Sequence, residues 1–197
     1  MKKIILASNS PRRKQLLAGL DIDFEVRVVD GIDESYPDDL PAQQVAPYLA
    51  KAKAENYRLS IAEEELIITA DTVVVLHDKV LGKPVSRQEA VDMLSQLSGQ
   101  THEVITGVCL TTKRQQHCLQ VTSEVTFKTL TQGEIDYYVD RYKPYDKAGA
   151  YGIQEWIGYV GVSALKGSYF NVMGLPVQRI YSELVEMGVI RDGKVLP

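Results

Sequence analysis

The sequence predicts an α/β fold in which helices cover a twisted sheet. Three observations support this prediction: strand and helix patterns alternate through the first half, two long β-rich segments follow with a polar turn between them, and capping residues mark the helix starts. The 197 residues are enough for one large domain or two small lobes. Because the chain has no repeat, low-complexity tract or flexible linker, we expect one domain over residues 1–197, in which any two lobes pack closely around a cleft.

The first helix carries the clearest local signals. Ser10 suits the N-cap, Pro11 suits the first helical position, and Gly19 suits the end of the helix. Farther along, apolar residues are spaced so that they fall on one face of a helix, which predicts a second helix. In order, the first half predicts a buried strand at residues 3–7, a helix at 11–18, a strand at 24–29, an acidic turn-rich segment at 30–40 and a helix at 41–59.

Capping boxes mark two helix starts in the second half, one at Ser86 with Glu89 and one at Thr131 with Glu134. A polar turn joins two β-rich segments and predicts a hairpin. In order, this half predicts a strand at 66–76, a helix to about residue 97, strands at 103–112 and 118–130, a helix to about residue 141, a strand at 156–162 and a helix at 175–186.

The composition is that of an ordinary globular protein, and the formal net charge of −4 argues against a general nucleic-acid surface. A few cations focused in a cleft can still bind a small polyphosphate. No apolar run approaches the ~20 residues of a membrane span, and the N-terminal run is too short for a signal peptide, so we expect a cytoplasmic protein without membrane binding. Cys109 and Cys118 could face each other across the hairpin, but in a reducing compartment we expect free thiols, and no Cys/His spacing suits zinc.

The segment from Ser8 to Arg13 places two hydroxyls and two guanidiniums around the start of the first helix. A helix start has unpaired N–H groups and a partial positive charge, and arginine can grip phosphate oxygens two at a time. Capping alone explains Ser10 and Pro11, but it does not explain the adjacent Arg12 and Arg13. The local pattern therefore supports phosphate binding and plain capping about equally.

Asp71 interrupts an otherwise apolar, β-branched strand. A carboxylate in a central strand is costly unless it is paired or hydrogen-bonded, so we expect Asp71 to emerge into a cleft. The alternative is that it marks a strand end or a bulge. Two further segments combine charge with glycine or proline, around Lys83 and around Asp146 and Lys147, but singly each could be an ordinary surface feature.

Six strings occur in a fixed order from Ile4 to about Tyr181: L-A-S-N-S-P-R-R, A-D-T-V-V, G-K-P, L-S-G-Q-T-H-E-V-I-T-G-V, D-K-A-G-A-Y-G-I-Q and G-S-Y-F-N-V-M-G-L-P. Together they resemble the Maf family of nucleotide pyrophosphatases. The resemblance implies a fold similar to the inosine-triphosphate pyrophosphatases, with an elongated mixed sheet and two closely packed lobes around a deep cleft. It also implies metal-dependent hydrolysis of a nucleoside triphosphate between its α and β phosphates, which releases pyrophosphate.

The resemblance assigns roles to particular residues. Asp71 is the expected base, and Glu34 and Asp71 are the expected ligands of a divalent metal, Mg²⁺ or Mn²⁺. Phosphate and other substrate contacts are expected from Ser8, Arg13, Lys53, Lys83 and Lys147. At the positions of Arg12, Thr72 and Gln154 the chain resembles the subgroup that acts on dTTP and UTP. A glutamine can match the adjacent O4 and N3–H of uracil or thymine. Structural polar filling is the alternative for Thr72 and Gln154. Of the two arginines, Arg13 is expected to grip phosphate and Arg12 to influence which nucleotide is accepted.

The chain departs from the family pattern next to Gln154, the residue expected to recognise the base. The subgroup usually continues Gly-Ile-Gln-Gly, whereas this chain has Glu155 after Gln154. Asn9 is a milder variation. His102 precedes a strand, where a histidine more often makes a structural hydrogen bond, so we leave it out of the catalytic set.

A second hypothesis comes from another functional class. The chain could be a regulator of cell division that senses nucleotides without turnover, although the intact Asp71, Lys83 and Lys147 argue against a catalytically dead sensor. A P-loop enzyme is disfavoured because no Gly-x-x-x-x-Gly-Lys-Ser/Thr string follows any strand. The sequence allows a homodimer but does not determine the oligomeric state.

Overall fold

A computed structural model describes residues 2–196 and confirms the predicted α/β class. Its main sheet has seven strands. They are β1 (Lys3–Leu6), β2 (Glu25–Val26), β3 (Glu65–Leu76), β4 (Lys79–Leu81), β5 (Thr101–Thr111), β6 (Gln116–Phe127) and β7 (Val162–Lys166). A separate pair of strands consists of β8 (Ile190–Arg191) and β9 (Lys194–Val195).

The described residues also form seven α-helices and a 3-10 turn at Ala148–Ala150. The helices are α1 (Pro11–Ala18), α2 (Ala42–Glu55), α3 (Arg87–Leu97), α4 (Gln132–Tyr142), α5 (Trp156–Gly161), α6 (Tyr169–Met173) and α7 (Val177–Glu186). None of these helices is long and apolar enough to cross a membrane.

The sheet is mixed, as predicted. Its strand order is β2-β1-β3-β5-β6-β7, and β4 also pairs with β3. Strand β1 runs parallel to both β2 and β3, whereas β3, β5, β6 and β7 pair antiparallel in series. The predicted hairpin is confirmed as the long β5–β6 pair.

Strand β3 changes partners along its length, and this change creates the space for a site. Its first residues pair with β1, in register from Lys3 with Glu65 to Leu6 with Ile68. Its last residues pair with β4 on the same side. Within the described chain, residues 69–73 have no strand on that side, while β5 covers the other side throughout. The expectation that Asp71 emerges into a cleft is therefore confirmed.

Helices cover both faces of the sheet. On one face, Val45 and Leu49 of α2 pack against Val73 of β3, and on the other face α1 and α7 share a core cluster with β1 and β3. Helix α2 lies very close to the sheet at Gly107, where an added methyl group would lie 2.5 Å from the backbone oxygen of Ala46. Only glycine fits there, so this contact sets how closely α2 approaches the neighbouring strand β3.

The alternation of side chains along β3 sends its two polar residues to opposite faces. Asp71 shares a face with Val73 and therefore points toward α2. Thr72 points toward α1 and α6, where it contacts Arg13. Because both residues lie in the unpaired part of β3, both can reach the same cavity.

Several local predictions are confirmed at the level of individual hydrogen bonds. Ser10 caps α1 by accepting from the Arg13 N–H, and Thr131 with Glu134 forms a complete capping box at α4. The box at α3 is only half formed, because the Glu89 carboxylate accepts from Val85 N instead of the Ser86 N–H.

The predicted strand at 156–162 is wrong. Residues Trp156–Gly161 form helix α5, and strand β7 begins only at Val162. A short apolar run does not distinguish a buried helical turn from a strand by periodicity, and the Gly158 backbone lies so close to Ile153 that no larger residue fits. Two other predicted elements were too long: α2 ends at Glu55, and the strand predicted at 24–29 is limited to Glu25–Val26.

The expectation of free thiols is also wrong. Cys109 and Cys118 face each other in the β5–β6 register, with their Cα atoms 4.1 Å apart, and their sulfurs form a disulfide. The expectation depended on the redox compartment, whereas pairing depends on register. Directly opposed residues on antiparallel strands hold their side chains on the same face of the sheet.

Candidate active site

A cavity of about 510 Å³ opens at the unpaired stretch of β3. Its walls come from the loop before α1, the first turn of α1, the loop after β2, helix α2, strand β3 and the loops after β4 and α4. All ten residues that sequence analysis selected line it: Ser8, Arg12, Arg13, Glu34, Lys53, Asp71, Thr72, Lys83, Lys147 and Gln154. The fold therefore brings together residues that are as far as 146 positions apart in the sequence.

Two carboxylates in the cavity share one ammonium group. Lys53 Nζ lies 2.6 Å from Asp71 Oδ1 and 2.8 Å from Glu34 Oε1. The side chains of Lys53 and Asp71 are each only 14% exposed, so water screens their attraction weakly. The hydrogen bond from Lys53 lowers the pKa of the Glu34 carboxyl, which stays ionised at neutral pH. The result is one largely buried carboxylate, Asp71, and one that is 54% exposed, Glu34, both held by the same ammonium group.

This donor set fits a divalent metal of the magnesium type. Such ions prefer oxygen ligands, and they commonly bind one or two protein carboxylates while water and substrate phosphates complete the shell. Lys53 Nζ lies between the carboxylates of Glu34 and Asp71, so a metal held by both would take the place of this ammonium group. Residues 2–196 contain no group of three or more His, Cys, Asp or Glu side chains suited to a metal.

Arg13 uses three of its five N–H groups in hydrogen bonds to the protein itself. Its Nε donates to the backbone oxygen of Gly174 at 2.9 Å, Nη1 donates to that of Ala70 at 2.8 Å, and Nη2 donates to Thr72 Oγ1 at 3.1 Å. Burial lowers the pKa of this guanidinium, and the negative charge of Asp71 opposes that shift. Arg13 thus replaces the missing strand partner of Ala70 and holds β3 against the end of α6, which leaves two of its five N–H groups for a ligand.

Arg12 is the more available of the two arginines. Its only polar contact in the described chain is Nη1 with Asp146 Oδ2, at 2.8 Å. The other Asp146 oxygen lies 2.8 Å from Lys147 Nζ. Burial raises the pKa of Asp146, but the hydrogen bonds from Lys147 and Arg12 outweigh it and lower the pKa to about 2. Asp146 therefore holds two cations side by side on one wall of the cavity.

Ser8 and Lys83 complete the polar walls. Ser8 is 8% exposed, and its Oγ accepts from Ser10 N at 3.2 Å. Lys83 follows β4 as an exposed side chain, and its loop is tied down by a hydrogen bond from Gly149 N to Gly82 O at 3.0 Å. A buried hydroxyl and an exposed ammonium group thus line the cavity on two of its sides.

Gln154 carries a polar atom without a partner. Its Oε1 is buried and makes no hydrogen bond within residues 2–196. An unsatisfied buried acceptor costs about 1–3 kcal/mol. A ligand that places an N–H group opposite this oxygen would recover that cost.

His102 is a core residue. It is 2% exposed and lies outside the cavity lining, and its Nε2 lies 2.7 Å from the hydroxyl of Tyr151. Burial lowers its pKa to about 4, so the ring is neutral at physiological pH.

Two contributors to the site were not among the predicted site residues. Asp146 bridges two cations although its sequence context suggested an exposed ion pair, and the D-K-A-G string is the only signal that points to it. Gly174 provides a backbone oxygen to Arg13 from a left-handed position at the end of α6. No residue-type signal marks a backbone oxygen, so sequence reasoning could not have found it.

Comparison with known proteins decides the family. A sequence profile for "Maf-like protein" matches residues 3–187. The chain belongs to the Maf-like family. Among curated relatives of this Maf-like chain, the "dTTP/UTP pyrophosphatase" of Parabacteroides distasonis is 59% identical over 92% of this chain and 94% of its own length. The proteins of the same name from Phocaeicola vulgatus and Flavobacterium johnsoniae are 58% and 47% identical, each over 94% of this chain and 96% and 95% of their own.

Solved structures with a related shape are more distant. The Ham1 protein of Staphylococcus aureus matches this Maf-like chain with a TM-score of 0.48 at 13% identity, over 64% of this chain and 72% of that one. A nucleoside-triphosphatase / dITP/XTP pyrophosphatase from Mycobacterium abscessus matches with a TM-score of 0.41 at 12% identity, over 94% of this chain and 96% of that one.

Proposed function

We propose that this protein hydrolyses dTTP and UTP between the α and β phosphates, forming the nucleoside monophosphate and pyrophosphate. The observation that supports this most strongly is the convergence of all ten candidate residues on one cavity, with paired carboxylates opposite several cations. The relatives named dTTP/UTP pyrophosphatase, which match nearly the full chain at 47–59% identity, support the choice of substrates. The reaction serves to balance or cleanse the nucleotide pool, which is in the cytoplasm.

Asp71 is the residue that handles the attacking water. Hydrolysis at a phosphoryl centre depends mainly on an aligned water and on positive charge near the phosphate oxygens. The Asp71 carboxylate accepts a hydrogen bond from that water and takes its proton. Lys53 Nζ, 2.6 Å from Asp71 Oδ1, fixes the orientation of the carboxylate before the substrate arrives.

Cations on the other walls bind the triphosphate. Lys83 and the two remaining N–H groups of Arg13 donate to phosphate oxygens, Ser8 lies beside the start of α1, and Arg12 influences which nucleotide is accepted. Glu34 and Asp71 would hold a divalent metal, Mg²⁺ or Mn²⁺, which when bound supplies additional positive charge to the phosphates. The charges of these residues are fixed by the fold, so little reorganisation is needed as charge develops.

Gln154 recognises the base by hydrogen bonds. Its unpartnered Oε1 accepts the N3–H of uracil or thymine, and its amide nitrogen can donate to the neighbouring carbonyl of the base. Thr72 is held by Arg13 and by the hydroxyl of Thr106, 2.9 Å away, which limits how deep the base can enter.

The proposal is tested with purified protein and Mg²⁺ on a panel of nucleoside triphosphates, with separate measurements of pyrophosphate and orthophosphate. Pyrophosphate release from dTTP and UTP is expected, and chelation of the metal with EDTA should stop it. Release of orthophosphate would contradict the bond cleaved, and preference for purine triphosphates would contradict the substrates. Tight nucleotide binding without product over hours would instead favour a regulatory binding protein.

Asp71→Asn is the sharpest single variant. It keeps the size of the side chain but removes the proton acceptor, so kcat should fall by about 10²–10⁴-fold. Glu124→Gln is a matched control because Glu124 pairs only with the exposed Lys166. Undiminished turnover in Asp71→Asn, with an unchanged circular dichroism spectrum, would remove Asp71 from the mechanism.

A further inference from the structure

The turn that carries Gln154 is closed by a ring of three hydrogen bonds. Glu155 N donates to Gly152 O at 3.0 Å, and Gly152 N donates to the hydroxyl oxygen of Tyr138 at 3.0 Å. The Tyr138 hydroxyl in turn donates to Glu155 Oε2. The ring encloses Ile153 and Gln154, so the backbone from which Gln154 reaches the cavity is held at both ends.

Tyr138 is a rigid part of this ring. It lies on α4, is fully buried, and stacks on Tyr142 with ring centroids 5.1 Å apart. Burial raises the pKa of its hydroxyl, and the hydrogen bond to Glu155 raises it further, so the hydroxyl keeps its proton. It can therefore donate to the Glu155 carboxylate while its lone pairs accept the N–H of Gly152.

The other oxygen of Glu155 contacts a buried cation. Glu155 Oε1 lies 3.1 Å from Lys147 Nζ, which also lies 2.8 Å from Asp146 Oδ1, and the Lys147 side chain is only 9% exposed. Asp146 in turn binds Arg12. Glu155 thus ends a row of alternating charges, and it balances a lysine that Asp146 already shares with an arginine.

The amide nitrogen of Gln154 lies in the neighbourhood of the Glu155 carboxylate. A methyl group added to Gly152 would lie 3.0 Å from Gln154 Nε2, 3.0 Å from Lys147 Cε and 3.1 Å from Glu155 Cδ. The amide nitrogen is therefore on the side of Glu155, and the amide oxygen is the buried atom without a partner. A carboxylate attracts the NH₂ end of an amide, which leaves the oxygen as the end of the amide without a partner in residues 2–196.

We propose that Glu155 is a positioning residue that makes the cavity select uracil and thymine over cytosine. With Tyr138 it holds Gln154 so that the amide oxygen faces the base. Uracil and thymine present an N3–H donor to this oxygen, whereas cytosine presents the bare N3 acceptor and leaves two acceptors facing each other. The inference rests on the proposed function, because it assumes that a pyrimidine nucleotide occupies the cavity.

Two variants test the proposal. Glu155→Gln keeps the size of the side chain but removes the charge, and Tyr138→Phe removes the hydroxyl that closes the ring. Either change lets the Gln154 amide reverse, so that it can donate to cytosine N3 and accept from its amino group. We expect the ratio of kcat/KM for UTP to that for CTP to fall at least about tenfold, through a higher KM for UTP and a lower KM for CTP.

Matched controls separate positioning from general damage. Tyr142→Phe lies on the same helix, and Glu124→Gln breaks an exposed ion pair; both should keep the wild-type ratio. If Glu155 and Tyr138 had a purely structural role, their variants would lower kcat/KM for UTP and for CTP by the same factor. An unchanged ratio in Glu155→Gln and Tyr138→Phe, or an equal loss on UTP and CTP, would overturn the proposal.

Binding separates this inference from the proposed function. Calorimetry with the α,β-imido analogues of UTP and CTP, which do not hydrolyse at that bond, measures base selection without turnover. We expect wild type to prefer the UTP analogue and Glu155→Gln to lose the preference. If wild type shows no catalysis but this pattern holds, only the catalytic proposal fails; equal binding of both analogues by wild type would overturn the role of Glu155.

Discussion

Replacing Arg13 with methionine should destabilise the protein much more than the same change at Arg12. Methionine keeps a long apolar side chain but has no donors. The backbone oxygens of Ala70 and Gly174 would lose their Arg13 hydrogen bonds in the interior, where Ala70 is only 2% exposed. Thr72 would keep its contact with Thr106 at 2.9 Å and is less affected.

The magnitude follows from two carbonyls: Ala70 O loses its only side-chain donor, and Gly174 O keeps only the 3.4 Å contact with Thr72 Oγ1. An unsatisfied buried acceptor costs about 1–3 kcal/mol, so the full loss at Ala70 and the partial loss at Gly174 cost roughly 2–5 kcal/mol together. Part of this is offset because the variant no longer buries a guanidinium, whose lowered pKa reflects the cost of its burial. We therefore expect the free energy of unfolding to fall by about 2–4 kcal/mol. At roughly 2–4 °C per kcal/mol, the Tm should fall by about 5–15 °C.

Arg12→Met is the matched control. Arg12 makes one ion pair with Asp146, whose side chain is 62% exposed, so its loss should cost no more than about 1 kcal/mol. Urea unfolding and thermal melting measure both variants, and pyrophosphate release from UTP is measured beside them. Arg12→Met should lose activity while staying folded. Equal stability losses in the two variants, or a Tm for Arg13→Met within about 2 °C of wild type, would refute the reasoning.

Three further predictions concern other parts of the molecule. His102 has a pKa of about 4 in the folded protein against about 6.5 in the unfolded chain, so its contribution to the free energy of unfolding is complete above pH 6.5 and is lost as the pH falls toward 4. Between pH 7 and 5, the free energy of unfolding measured with urea should fall by about 2 kcal/mol more in wild type than in His102→Gln; equal falls would contradict this. Reduction of the Cys109–Cys118 disulfide should lower the free energy of unfolding by about 2–3 kcal/mol, and a Tm that does not respond to dithiothreitol would contradict it. Lys83→Ala should raise the KM for UTP roughly tenfold at constant Tm, because Lys83 is exposed; an unchanged KM would remove it from the phosphate contacts.

Features that depend on local sequence were predictable. The cap of Ser10 on α1, the capping box of Thr131 and the β5–β6 hairpin all involve residues close in sequence, whose steric and hydrogen-bonding preferences act within a turn or two. The position of Asp71 was also predictable, because a carboxylate in a buried strand requires a cation or a cleft, and Lys53 provides the cation. The family resemblance named the ten cavity residues, but their individual roles, a resident metal and a homodimer stay predictions.

Features whose sequence signals fit two outcomes were not predictable. The apolar run from Trp156 suits a strand or a helix by periodicity, and it forms helix α5, in which the Gly158 backbone packs tightly against Ile153. The thiols of Cys109 and Cys118 were expected to be free because compartment, and not register, guided the expectation.

The amino-acid sequence by itself determined the α/β class, the capped first helix, the carboxylate at Asp71 and membership of the Maf-like family. Only the tertiary structure decided how the two adjacent arginines are used. They are neighbours on one helix, yet Arg13 faces the unpaired stretch of β3, where Ala70 O needs a donor, while Arg12 reaches Asp146 across the cavity. The physical reason is that a buried backbone oxygen must be hydrogen-bonded, and which side chain meets that need depends on where a strand ends in three dimensions.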